Sequence, residues 1–131
     1  MPLTNYKISN FDIDLDFGKI GENKVINMFE GNGSIEVKTE RGSWQKTGNI
    51  AIEVKYKGKP SGLSTTKAKT WIHLLSQDLN ILGGFIFDVN KLRDRVKDLT
   101  ILKRARIVKG GDNNDSTIVL LPIKEMFNYE I

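Results

Sequence analysis

The chain of 131 residues contains no cysteine, which excludes disulfides, thiolate zinc sites and cysteine nucleophiles. Histidine is nearly absent as well. The one copy, His73, sits between Ile72 and Leu74, and a single histidine builds no serine triad without a full set of converging partners; a structural place is expected for it. Long apolar runs are missing: IVLL at residues 118–121 is among the longest, far below the ~20 residues of a membrane-spanning helix. The opening MPLTNYKISN has no apolar stretch and no cleavage pattern, so no signal peptide is expected and a cytoplasmic, non-membrane protein follows. No long internal repeat, linker or low-complexity tract interrupts the chain.

What is present is an ordinary globular composition, 39% hydrophobic and 27% charged. A chain of this length suffices for one domain, residues 1–131, with its own core. The net charge of +4 is unevenly spread. Residues 1–35 carry five acids against three basic residues, whereas residues 36–69 carry eight basic residues against three glutamates. Residues 91–109 repeat that bias, with eight basic residues and two acids. Such segments suit a phosphate backbone; a solvated lysine-rich surface is the plainer account.

Residues 11–17, FDIDLDF, alternate with period two and predict a strand or extended lead-in. From residue 18 the period changes: Ile20, Val25, Ile26 and Phe29 recur at helical spacing until GNG at 31–33 breaks the segment. Strands are expected at 34–40 and 49–57, joined by a loop with Gly42 and Thr47-Gly48-Asn49. A turn at 59–62 leads to Ser64, which is placed to cap a helix from Thr65. The ambiguous stretch 68–75 reads as a short helix giving way to a strand. Gly83-Gly84 marks a turn before a strand at 85–87, and Asp88 caps a helix that places Leu92, Val96 and Leu99 on one face. Residues 105–108, the turn GGDNND and a strand at 116–123 complete the core. Mixed strands and helices give an α/β (α+β) domain.

Some apparent signals fail on inspection. Asp12, Asp14 and Asp16 resemble the start of a calcium loop, but the positions that need glycine and glutamate hold Phe17 and Asn23. The GGDNND turn fits a hairpin connection better than a phosphate cradle.

The tetrapeptide IEVK occurs twice, at residues 35–38 and 52–55. Side chains two apart on a strand share a face, so Glu36, Lys38 and Glu40 project together, and Glu53 projects with Lys55. Paired as a hairpin, the two strands would set these charged faces side by side. Carboxylates crowded together repel unless a cation neutralises them, and such hard oxygen donors suit Mg²⁺ or Mn²⁺. A neighbouring lysine then positions a water for attack. Glu22 lies four residues before Ile26 on the expected inner face of the first helix, where a carboxylate needs a partner.

This order, a glutamate on the first helix, an acid on one strand and (D/E)-x-K on the next, resembles the PD-(D/E)xK nuclease superfamily. GKIGENKV, EVKTERGSWQKTGNIAIEV and GKPSGLSTTKAKTW are similar to stretches of small phage-encoded endonucleases of that fold, which Holliday-junction resolvases share. The resemblance implies a restriction-endonuclease-like core, a central mixed sheet flanked by helices, and Mg²⁺- or Mn²⁺-dependent cleavage of DNA in a bacterial or phage-infected cell. It matches Glu22 to the helix glutamate and Glu53-Val54-Lys55 to (D/E)-x-K. The intervening acid is Glu40 or Glu36, and the chain departs from the pattern in having no Pro-Asp dipeptide. Glu53 with Glu40 or Glu36 would ligate the metal, and Lys38 or Lys55 would assist the water.

Arg41, Lys46, Lys57, Lys59, Lys67 and Lys69 are candidate phosphate contacts, with Ser61 and Thr66 near the expected helix start. Trp44 is placed to stack on a base or to pack. A branched substrate would favour a homodimer. Two alternatives stand beside the nuclease. One is a non-catalytic nucleic-acid-binding module, and the other is a protein-interaction factor in which Glu–Lys pairs only brace the strands.

Overall fold

The computed structural model describes residues 11–30 and 34–128, without the side chains of residues 11–15 and 29. The chain divides into two compact units, Met1–Ser34 and Ile35–Ile131. In the first unit one helix, α1, spans Phe11–Glu30. The strand predicted for FDIDLDF is therefore helix. Helix formation is cooperative, and a seven-residue alternation joined to a segment of helical period is absorbed into the longer element. Helix α1 stops before GNG, as expected, although residues 31–33 lie outside the described residues. Phe17, Ile20, Val25 and Ile26 are all exposed on it, as is Asp16.

The second unit runs β1 (Ile35–Glu40), α2 (Trp44–Thr47), β2 (Asn49–Tyr56), β3 (Lys59–Pro60), β4 (Thr70–Gln77) and β5 (Asn80–Asp88). Then follow α3 (Val89–Ile101), β6 (Arg106–Gly110) and β7 (Ser116–Pro122). The strands form two sheets. One has the order β1-β4-β5, with β1 parallel to β4 and β4 antiparallel to β5; the other, β3-β2-β7-β6, is antiparallel throughout. With three α-helices among the described residues, the fold is α+β.

Several local expectations change. The two IEVK segments do not form a hairpin, because β1 and β2 belong to different sheets. The connection between them winds into α2 and ends on Gly48 in the left-handed region (φ 70°), a conformation glycine reaches without strain. No helix starts at Thr65; a single 3-10 turn, Gly62–Ser64, precedes β4, and β4 takes the ambiguous stretch as strand. Gly83 and Gly84 lie inside β5, whose hairpin with β4 turns at residues 78–79.

The core is made by β2, β7 and α3. Ile50 and Ile52 of β2 and Val119 and Leu121 of β7 are buried on one face of the antiparallel sheet. Helix α3 contributes Leu92, Val96 and Leu99, as its period predicts, and Leu63, Trp71 and Met126 close the cluster. The Asp88 carboxylate accepts from the Lys91 amide at 3.1 Å, satisfying one of the free amides at the α3 N-terminus. Arg95, buried on α3, donates to the carbonyls of Glu125, Met126 and Asn128 and ties down the C-terminal segment.

Candidate active site

The antiparallel sheet aims its two faces differently. Ile50, Ile52 and Val54 pack on the core, so Ala51 and Glu53 look the other way. In β1 the polarity is reversed. Register pairs Glu36 with Trp71 and Lys38 with His73, and laterally paired residues share a face. Trp71 and His73 are both about 1% exposed. The charged face of β1 therefore lies on the side of Trp71 and His73, where Glu40 is the most covered of its three charged residues and Lys38 stays exposed; Val37 is half exposed on the other side.

These two polar faces meet in a cleft of about 440 Å³. Lys38, Glu40 and Arg41 line it from β1 and its C-terminal end, Ala51 and Glu53 from β2, and Trp71 and His73 from β4. Gly62 lines it too. At Gly62 a Cβ would fall 2.2 Å from the Glu53 carbonyl oxygen, and φ is +53°; only glycine lets this turn lie against β2.

Each carboxylate is held by two donors. Glu40 Oε1 accepts from the Ala51 amide at 2.5 Å and lies 2.9 Å from His73 Nε2. Glu53 Oε1 accepts from the Ser116 hydroxyl at 2.7 Å, and Oε2 accepts from the Ser61 hydroxyl at 3.0 Å. Glu36 is outside the cleft lining: its Oε1 accepts weakly from Thr66 Oγ1 at 3.4 Å, and its Oε2 is 4.0 Å from Lys38 Nζ. Of the two candidate second acids, Glu40 is the one that shares the cleft with Glu53.

A β-bulge separates Glu53 from Lys55. The β2–β7 register slips between Glu53, opposite Ile118, and Lys55, opposite Thr117. Ile118 and Thr117 are adjacent on β7 and point to opposite faces, so Glu53 and Lys55 do also. The expectation that they share a face is corrected: Lys55 is exposed and turned from the cleft, and Lys38 lines it.

Glu22 is an exposed residue of α1, in the first unit, whereas every residue lining the cleft belongs to the second. Among the candidate phosphate contacts, Arg41 is at the cleft, and Lys46, Lys57 and Lys59 are exposed. Lys67, Lys69 and Thr66 border a separate depression beside the start of α3. Ser61 is a hydrogen-bond donor to Glu53. The Trp44 indole donates to the Ser76 carbonyl at 2.7 Å, which anchors its ring against β4. His73, Trp71 and Ser116 are the site residues that sequence reasoning missed. The available signal was a lone histidine in an apolar strand, since a buried polar group needs a partner.

Among the described residues, no three acids or histidines cluster closely enough to hold an ion by themselves. Two cleft carboxylates nonetheless suit Mg²⁺, which keeps several waters and takes one or two carboxylates plus substrate phosphate. No helix among the described residues is long and apolar enough to cross a membrane. No protein-family model, curated protein or solved structure matches the chain.

Proposed function

We propose that the chain is a metal-dependent endonuclease that hydrolyses DNA phosphodiester bonds, with a restriction-endonuclease-like ancestry and Glu40, Glu53 and Lys38 at its centre. The observation carrying this reading is the cleft itself. Two glutamates thirteen residues apart in sequence, on strands of different sheets, converge on it with a lysine and an arginine.

Glu40 and Glu53 would hold Mg²⁺ or Mn²⁺, which neutralises phosphate charge and acidifies a water when bound. Lys38 orients the attacking water opposite the leaving oxygen. Water oxygen bonds to phosphorus and gives up a proton to solvent, the P–O bond to the leaving sugar breaks, and the leaving oxygen takes a proton from solvent, so that the products are a phosphate monoester and a free hydroxyl. Arg41 contacts a non-bridging phosphate oxygen, while Lys46, Lys57 and Lys59 hold flanking phosphates without reading sequence. Glu36 adjusts Lys38 from outside the cleft.

The test uses purified protein with Mg²⁺ or Mn²⁺ against single-stranded, duplex, nicked and four-way-junction DNA. Cleavage that vanishes with chelator and in Glu53→Gln and Glu40→Gln, with DNA binding retained, is expected. Metal-independent binding without cleavage of any form would leave a DNA-binding module instead. A lack of both would favour a protein-interaction factor.

A further inference from the structure

We infer that His73 is a positioning residue for Glu40, and that the buried pair Trp71–His73 holds this carboxylate with one oxygen turned to the cleft for a divalent cation. The inference rests on the proposed metal site and adds to it two buried residues of β4 that line the cleft.

Tryptophan has an N–H and no acceptor, so the 3.0 Å contact from Trp71 Nε1 to His73 Nδ1 makes Nδ1 the acceptor. The ring proton is then on Nε2, which donates to Glu40 Oε1 at 2.9 Å. Turning the imidazole over would bring ring carbons to both contacts and lose both bonds. The two rings lie nearly parallel, 13° apart, and each is about 1% exposed, so packing also opposes rotation.

The consequence falls on Glu40. Its Oε1 takes two donors, His73 Nε2 and the Ala51 amide. No described hydrogen bond reaches Oε2, and no buried side-chain oxygen among the described residues is without a partner; Oε2 is therefore solvent-accessible, on a residue that lines the cleft. The main chain is held as well, since the Ser76 hydroxyl donates to the Glu40 carbonyl at 2.5 Å. Strand β4 thus fixes Glu40 at both backbone and side chain. Supporting hydrogen bonds on ligating groups typically change metal affinity by 10–100-fold.

The experiment measures Mn²⁺ affinity of the folded full chain by paramagnetic resonance or calorimetry, with folding checked by circular dichroism. His73→Phe keeps a ring and removes the donor; Mn²⁺ binding is expected to weaken by about 10–100-fold. His73→Gln, whose amide can donate to Oε1, should recover a large part of that loss. Trp71→Phe should weaken binding in the same direction by a smaller factor, and it reports on the inference if His73→Phe does not fold. In cleavage assays the Mn²⁺ concentration for half-maximal turnover should rise in step with the dissociation constant. Folded His73→Phe or Trp71→Phe binding Mn²⁺ as the unaltered protein does would overturn the role of the pair and leave the metal site standing. If the unaltered protein binds no Mn²⁺, the metal site itself fails, and the positioning role falls with it.

Discussion

The two copies of IEVK are the same four residues in two opposite situations. In β2, Ile52 is fully buried and Val54 packs on the core, and Glu53 looks into the cleft. In β1 it is the glutamate and lysine face that lies on the side of Trp71 and His73, with Glu40 largely covered and Lys38 exposed, while Val37 is half exposed on the other side. The second difference is the bulge, which leaves Lys38 in line with its strand-mates and turns Lys55 away from Glu53. Alternation divides a strand into two faces. It does not say which one the rest of the molecule will cover, nor whether the alternation survives to the next residue.

The lysines offer the sharpest way to break this comparison. Lys38→Ala should reduce turnover by about 100-fold or more, the usual range for a group that assists proton transfer. Lys55→Ala should change it by no more than a few-fold, as expected of a residue off the site, and initial rates on the best substrate decide between them. An equal loss in both would mean that the bulge does not separate them in the working enzyme.

Core burial comes next. Ile52→Ala, at a fully buried site, should cost about 3–4 kcal/mol in denaturant unfolding. Ile35→Ala, at a partly exposed site, should cost about 1 kcal/mol, because less apolar surface returns to water. The glycines near the two copies extend the test. Gly62→Ala, pressed against Glu53, should lower stability by about 3 kcal/mol through backbone strain and displacement of β2. Gly42→Ala follows β1 in open space and should fall within about 0.5 kcal/mol of the parent. Equal melting temperatures for the two variants would remove the packing argument at Gly62. Ser116→Ala, which takes one hydroxyl from Glu53, should cost about 1 kcal/mol. The smallest effect, no measurable change in stability, is expected from Glu36→Gln, whose exposed pair with Lys38 is long.

Parts of the fold were legible because their causes are local. Helix α3 follows from Asp88 as cap and the spacing of Leu92, Val96 and Leu99. Strands β1 and β2 follow from alternation bounded by turn residues, and β7 from a short apolar run after the GGDNND turn. The first seven residues of α1 were misread because alternating acids and apolar residues give a strand signal without deciding how the chain continues. The pairing of β1 with β4, across a separation of more than thirty residues, has no local signature. Of the candidate site, Glu40, Glu53 and Lys38 could be named from residue type and spacing. Choosing Glu40 over Glu36 and Lys38 over Lys55 could not, and the role of His73 is hidden because its partner Glu40 is brought to it by the parallel β1–β4 pairing.

By itself the sequence determined which residues could form strands and helices, that no thiol chemistry is available, and that acids and lysines recur at strand spacing. The tertiary structure alone decided that the two repeated segments join different sheets, that β1 sets its charged face on the side of Trp71 and His73, and that one lysine of the two reaches the cleft. The physical reason is that face and register are fixed by what packs against a strand, and those neighbours come from far along the chain.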